Sequence, residues 1–564
     1  MPFFLLLIDM HADTIDVCGI KIMNISIKTG TPPKSPGRTV LLVLYVIAVA
    51  VAYYVILPPF NWHSPAFWAF MTPAVCALLF ILALPGKNKV VKMNRYIVLA
   101  IAAMFVLPAI LWFAGTRIFH SREYASRIRI ENVSFDTIDE VDFTKTAIID
   151  RDTTEALGDR VMGQMSELVS QFEVSSEYTQ ISYKDSVYRV TPLEYADFFK
   201  WMANVKDGVP AYITVDSTNG TAKLVRLKDL GYGNMKYVPS SLFNSNLMRH
   251  LRFQYPTEIF GSPSFEIDED GHPWYVCSTY SYKLVGDKKY VTGAIFMDPI
   301  TGESTKYDVN SVPTWADRIF PEALVVEEIG DYGSLQNGFF NSFIGQKGVI
   351  APSSGYNYIE KDGDIWLYTG VTSVNADQSN LGFILVNLRT HEALRIDAPG
   401  ADETSAMKSA EDEVQNYGYE ATFPVLVNVN GRPTYLMSLR SEAGESKSVL
   451  KMYAMVDATD YQKVTTVSVD QGLNVLKKQM IAIQGGSDNT ASLATEKKQI
   501  TVMDLRQVIN EGNTIYYFKD EQGNRYRMNF SVRYEDILAF LNEGDQVTVE
   551  YIESDDISLV QAIS

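Results

Sequence analysis

The chain has 564 residues, too many for one ordinary hydrophobic core, so two or more domains are expected. Apolar residues make up 47% and charged residues 21%, which excludes a mostly disordered chain. The formal net charge of −18 argues against nucleic acid as a partner, because an anionic surface repels phosphate.

Residues 1–22, "MPFFLLLIDMHADTIDVCGIKI", hold an apolar run too short to span a bilayer, and no small-residue cleavage site follows a basic start. Met23 opens a more plausible N-terminus. The earlier residues are expected to be an upstream extension of little structural meaning, within a cytoplasmic segment 1–38. Three uncharged runs follow: 39–57 "TVLLVLYVIAVAVAYYVIL", 65–84 "PAFWAFMTPAVCALLFILAL" and 96–114 "YIVLAIAAMFVLPAILWFA". Each is close to the roughly 20 residues that cross a hydrocarbon core of about 30 Å. In lipid, three helices are the form that satisfies the backbone. Buried soluble helices are the competing reading, and three such runs so close together weigh against it. Pro73 and Pro108 predict kinks. With no charge inside the runs, region 39–114 is expected to anchor the chain or pair helices rather than conduct ions.

Orientation follows from the basic residues. Lys21, Lys28, Lys34 and Arg38 precede the first run, and 86–95 "GKNKVVKMNR" has no acid, whereas 58–64 "PPFNWHS" carries no formal charge. The positive-inside bias places the N-terminus and the second loop in the cytoplasm and everything after residue 115 outside. Tyr53, Tyr54, Trp62, Trp68 and Trp112 would then form an outer aromatic belt. Arg117, Arg122, Arg127 and Arg129 argue the other way, but Glu123 and Glu131 interleave with them. Residues 1–114 carry eight Lys/Arg and three Asp, and the remainder carries 41 basic and 64 acidic residues, so charge divides at the membrane. Of the cysteines Cys18, Cys76 and Cys277, only the last would be external, so no intrachain disulfide can form there. That scarcity points to a bacterium whose exported proteins avoid cysteine.

Residues 115–194 are expected to form a membrane-proximal α+β region. At 194–205, "EYADFFKWMANV", Tyr195, Phe198, Phe199 and Trp201 have helical spacing, and core packing outweighs a sticky surface as the reading. Repeats are expected across 195–483. "VKDGVPAYITV" (205–215), "DEDGHPWYVCS" (268–278), "EKDGDIWLYTG" (360–370) and "VNVNGRPTYLMS" (427–438) each set Asp-Gly or Asn-Gly before an alternating strand. Such pairs are strong hairpin signals, because both central residues tolerate positive φ. "GAIFMDPITGESTKYDV" (293–309), "GFILVNLRTHEALRIDA" (382–398) and "KMYAMVDATDYQKVTTV" (451–467) add a strand, an Asp or Asn, a polar turn and another strand. Segments 312–330, 403–418 and 470–483 have loose helical spacing. A helix plus an antiparallel meander, repeated at irregular intervals, is the expected unit.

That unit resembles the PepSY domain, a small extracytoplasmic α+β module, on the Asp-Gly hairpin and a "D-x-x-T-G-E" turn at Asp298, Thr301, Gly302 and Glu303. The other copies keep part of it, with Asn387, His391 and Glu392, and with Asp457 and Asp460. The resemblance implies binding or inhibitory roles at the cell envelope rather than catalysis. After a linker at 484–497, residues 498–564 hold five strands with one helix after the third, an order that resembles the OB-fold barrel. Tyr516, Tyr517, Phe518, Tyr526 and Phe530 are the candidate ligand-stacking residues, with about half expected to fill the barrel. With 7 basic and 13 acidic residues over 495–564, nucleic acid would lack its electrostatic term.

"DEDGHPWYVCSTY" (268–280) looks like a metal loop, but an EF-hand register puts Cys277 where a bidentate Glu belongs, so a turn is expected. His272 and Cys277 face opposite sides of a strand and cannot close a zinc site alone. HExxH, GxxxxGK[ST] and GxSxG are absent from the sequence, and no catalytic, metal or cofactor residue is assigned. The fold class expected is α+β, with three membrane helices, a repeated ectodomain and a small C-terminal β-barrel. The function expected is non-catalytic binding, scaffolding or regulation of an envelope protein or cell-wall partner, anchored in the bilayer. The alternatives are an envelope hydrolase using spatially assembled carboxylates and a transporter accessory subunit.

Overall fold

The computed structural model describes residues 10–17, 20–27, 36–83, 91–92, 95–184, 186–374, 379–441, 449–485, 496–510, 513–530, 534–552 and 557–564. Residues 1–9, most of the basic loop 86–95 and most of the expected linker 484–497 lie outside them. The fold is mixed α+β. Helices α1 (Pro36–Ile56), α2 (Pro65–Ala83) and α3 (Arg95–Ala114) are long and apolar enough to cross a membrane. Pro73 and Pro108 sit inside α2 and α3. Pro108 has no N–H to offer the carbonyl of Met104 one turn back, and Thr72 Oγ1 of α2 donates to that carbonyl instead, at 3.3 Å. Tyr45 Oη of α1 donates to Ala74 O of α2 at 2.9 Å, so each neighbouring pair shares a polar contact. Upstream, Met10–Val17 and Ile20–Ile27 pair as a hairpin, more structure than the opening residues were expected to have.

One end of the bundle, made by segment 57–64 and Gly115, meets the folded body. Arg249 Nε donates to Tyr54 O at 3.1 Å and Arg252 Nε to Leu57 O at 3.0 Å. The backbone N–H groups of Phe60 and Gly286 donate to Pro256 O and His63 O. A short helix, α4 (Arg117–Ala125), then turns the chain into the body.

From Arg151 to Ser468 the chain builds four antiparallel sheets in succession, led by helices Arg151–Gly163, Leu247–Gln254, Glu322–Leu335 and Glu403–Glu413. All four have one strand order, a first strand broken in two and then a meander. The long central pairs are Ser186–Tyr195 with Ala211–Asp216, Pro273–Ser281 with Tyr290–Met297, Asp364–Ser373 with Ser379–Asn387, and Arg432–Ser441 with Val449–Asp457. The first sheet therefore runs across residues 194 and 195, where a domain boundary was expected. The last three central pairs each carry a register shift, between Thr279 and Tyr280, Val371 and Thr372, and Leu439 and Arg440.

Turn chemistry explains the meanders. Gly271, Asp362 with Gly363, and Asn430 with Gly431 have positive φ in the first hairpins of the last three sheets. The first sheet turns at Lys184 instead, with φ +52. The hairpin expected at 205–215 does not form: Gly208 ends helix Phe198–Asn204, donating to Asn204 O at 2.8 Å, and leads into Ala211–Asp216. The second expected element is a five-residue turn that opens on Asx at 293–309 and 382–398, and it recurs at Asp216 in the first sheet, whereas at 451–467 the turn is tighter, Asp457 O accepting the N–H of Asp460 at 3.2 Å. Asp216, Asp298 and Asn387 each accept, through their own carbonyl, the N–H of the residue four ahead, which is Gly220, Gly302 or His391, all at positive φ. Segment 312–321, expected to be helical, is irregular up to Pro321, and the helix begins at Glu322.

The cores are shared between neighbours. One cluster joins sheets one and two through Tyr212, Phe265 and Tyr275, another joins two and three through Phe296 and Leu367, and a third joins three and four through Phe383 and Tyr435. The segment after α4 straps the ends together. Ile130–Val133 adds a parallel strand to the third sheet, Val141 N donates to Asn428 O on the fourth, and Ile148 and Ile149 donate to Ser217 O on the first.

The C-terminal sheet has the order Glu496–Thr501, Gln546–Ile552, Ser558–Ile563, Arg525–Asn529, Asn513–Lys519, Met503–Asn510. It curls as a half-barrel over its own core. Its two outermost strands are consecutive in the chain, separated by buried Val502.

Candidate functional site

A cavity of about 440 Å³ opens where the first, third and fourth sheets meet. The first sheet supplies Gln180 and Arg189, which are cross-strand partners and so share a face. The third supplies Tyr356, Asn357 and Tyr358, and the fourth Phe423, Ser438 and Arg440. The strap and the start of helix Arg151–Gly163 close the floor with Ile148, Ile149 and Asp150.

Several of these polar groups lack partners. Gln180 is 7% exposed, and neither its amide nitrogen nor its amide oxygen is hydrogen-bonded. Arg189 is 8% exposed, and its Nη1 donates to Ile149 O and, at 2.9 Å, to Thr154 Oγ1. Among the described residues no carboxylate lies within ion-pair distance of Arg189. Burial pulls its proton affinity below the ordinary guanidinium value. Arg440 pairs with Asp152 and, at 3.6 Å, with Asp150, while its Nε has no partner. A buried cation with neutral partners and an idle amide beside it favour an anionic guest with hydrogen-bonding capacity.

The carboxylates that converge elsewhere are sealed. Glu266 is fully buried, accepting from Ser264 Oγ at 2.7 Å and from Asp317 N at 2.9 Å. Asp317 accepts the N–H groups of Ser182 and Ile365, tying the linker after the second sheet to the first and third. Burial, then Glu266, pushes the Asp317 carboxyl well above the usual range, and burial raises Glu266. Neither lines the cavity.

Residues 268–272 are a hairpin turn, and the strand Pro273–Ser281 follows it. Asp268 Oδ1 accepts from the N–H groups of Asp270 and His272, and Oδ2 from Trp274 Nε1, while Glu266 points into the sealed cluster. Cys277 is fully buried, and burial pushes its thiol up to about 12. Three of the five aromatic candidates, Tyr516, Phe518 and Tyr526, are in the core of the C-terminal sheet and present no face for stacking. Tyr517 is half-buried, with Arg527 6.0 Å from its ring, and Phe530 is exposed. Arg189 and Gln180 escaped the sequence reading. The available signal was a polar residue at matching positions of two apolar strands, "QISY" and "VYRV". No family model matches the chain, and no curated protein matches it.

Proposed function

We propose that the chain is a membrane-tethered, extracytoplasmic binding protein of a bacterial envelope, non-catalytic, whose receptor site is the cavity between the first, third and fourth sheets. Arg189, bonded to a carbonyl and a hydroxyl but to no carboxylate among the described residues, beside the idle Gln180 amide carries this reading, and the ligand class it favours is a carboxylate on a small molecule or peptide end. The four sheets read as diverged copies of one PepSY-like unit, supported by their common strand order and by an Asx side chain, Asp216, Asp298, Asn387 or Asp457, that accepts the N–H two residues ahead. An OB-like barrel at the C-terminus is supported by the parallel pairing of Arg525–Asn529 with Ser558–Ile563 and by the helix Glu535–Leu538 that follows the third strand run. Export of the body rests on the lysine-bearing segments at the other end of the bundle.

The binding test uses alanyl-alanine as a carboxylate probe and its C-terminal amide as control, with the detergent-solubilised full chain. The free acid is expected to raise the melting temperature, the amide to leave it unchanged, and Arg189→Gln to abolish the rise. An equal response to acid and amide, or a rise that survives Arg189→Gln, removes the proposal. For topology, a cysteine at exposed Asn219 is expected to react with an impermeant thiol reagent on intact cells. Reaction only after lysis would reverse the orientation.

A further inference from the structure

Two groups of exposed apolar side chains flank the end of the helix bundle that meets the body. The first comprises Phe198, Phe199, Met202 and Phe243, with Phe199 68% and Phe243 60% exposed. It is joined to α1 by direct contacts. Asn244, next to Phe243, accepts from Tyr54 Oη at 3.3 Å. Arg249 donates to Phe243 O at 2.6 Å and to Tyr54 O at 3.1 Å, with its guanidinium 4.2 Å from the Tyr54 ring centre. From Phe243 the rings continue to Trp201 at 5.7 Å, and from Trp201 to Phe198 at 6.1 Å.

The second group comprises Phe119, Phe340, Phe343 and Ile344, with Ile344 74% exposed. It gathers at the end of α3. Phe119 meets Phe113 of α3 at 5.4 Å. Tyr124 Oη donates to Gly115 O at 3.0 Å, and Tyr124 packs with Leu335 and Phe339. Phe339 in turn meets Phe340 at 5.6 Å and Phe343 at 5.4 Å.

We infer that these two groups are feet that dip into the bilayer surface and hold the body flat against the membrane from which it emerges. Tyr54 and Gly115 mark where α1 and α3 leave the hydrocarbon, and both feet are tied to those residues. Large apolar side chains left in water at that level are unfavourable, whereas the acyl–headgroup boundary accommodates aromatic rings. Continuity with the spans is what selects lipid as the occupant over a second copy or another protein. The body then has fixed tilt and height, set by five points: three helices and two feet.

Photo-crosslinking tests this in native membranes with the full chain, by incorporating p-benzoylphenylalanine in place of Phe199, of Phe343 or, as an exposed ring on the fourth sheet, of Tyr461. Adducts to phospholipid acyl chains are expected at 199 and 343 and not at 461. Equal lipid labelling at all three positions, no lipid adduct at either foot, or crosslinks from either foot to a second copy or another polypeptide would overturn the inference. Insertion is checked separately by alkaline extraction, so that a misfolded variant is not scored.

Discussion

Arg127 and Arg189 both lie buried in the body, and their surroundings are opposite. Arg127, just after α4, has a side chain 1% exposed, and its Nη2 donates to Asp331 Oδ2 at 2.6 Å and to Glu327 Oε1 at 3.1 Å. Arg117 shares those carboxylates at 2.6 and 2.7 Å, and both guanidiniums lie within 5.4 Å of the Tyr124 ring centre. Arg189, at the far junction, has a carbonyl and a hydroxyl and then open cavity. The first environment is closed, with charge answered by charge, and it locks α4 to helix Glu322–Leu335 where the body meets the helix bundle. The second rests its positive charge on neutral acceptors at the edge of a cavity, with Asp150 acting on it only at longer range. What faces each guanidinium distinguishes the two, carboxylates at Arg127 and neutral acceptors beside a cavity at Arg189.

The largest effect is expected from breaking the joint. Asp331→Ala leaves Arg127 buried with Glu327, itself half-exposed, as its nearest full partner. Removal of one partner from a buried pair costs about 3–5 kcal/mol. A guanidinium titration should show an earlier midpoint, and amide exchange should accelerate first in α4. An unchanged midpoint would mean that the joint is not a stabilising contact.

How much of this was legible depended on whether the signal was local. The three N-terminal helices are apolar on every side and long enough to span a bilayer, so composition suffices to find them. Hairpins on Asp-Gly and Asn-Gly were visible because positive φ demands those residues. The first hairpin was hidden because Lys184 takes φ +52 without a glycine, while Asp207 and Gly208 offered a decoy that ends a helix. His391 likewise holds the positive-φ place that Gly220 and Gly302 hold elsewhere, held there by Glu328 at 2.7 Å and stacking on Phe320. Alternation separates Tyr516 and Phe518, which face the core, from Tyr517, yet it does not say which set faces inward. The cavity was least legible. Arg189 and Gln180 meet only through strand register, and their isolation depends on three sheets that are distant in sequence.

A smaller effect separates the sealed acids from the paired ones. Glu266 and Asp364 act on Asp317 electrostatically, together with the N–H groups of Ser182 and Ile365, while Arg318 acts on Glu266. The Asp317 carboxyl is raised in the fold, so the folded state holds that proton more tightly than the unfolded chain. Its contribution is fully present below the unfolded value near 3.8 and is lost as pH rises through the folded value. The unfolding midpoint should therefore fall with rising pH on this account, and Glu266→Gln should flatten the fall. A tenfold change in proton affinity corresponds to about 1.4 kcal/mol. Glu123, lowered to about 2 by hydrogen bonds from His120, Lys288 and Lys283, has the opposite sign, its contribution being lost as pH falls. Its exposed setting keeps that contribution small. An identical pH profile in wild type and Glu266→Gln would show that the two acids do not act on each other.

The smallest change in stability is expected where the charge stands alone. Arg189→Met removes the donor to Ile149 O, which costs a buried acceptor its partner, about 1–3 kcal/mol. It also removes a desolvated cation and fills the same volume with a flexible apolar chain, which offsets that loss. The net is expected to lie within about 1 kcal/mol of wild type, while the response to alanyl-alanine disappears. Stability and binding would then part company at Arg189, whereas at Asp331 stability alone falls. If Arg189→Met proves as damaging as Asp331→Ala, its carbonyl and hydroxyl partners suffice to make Arg189 structural, and the cavity loses its claim to be a receptor.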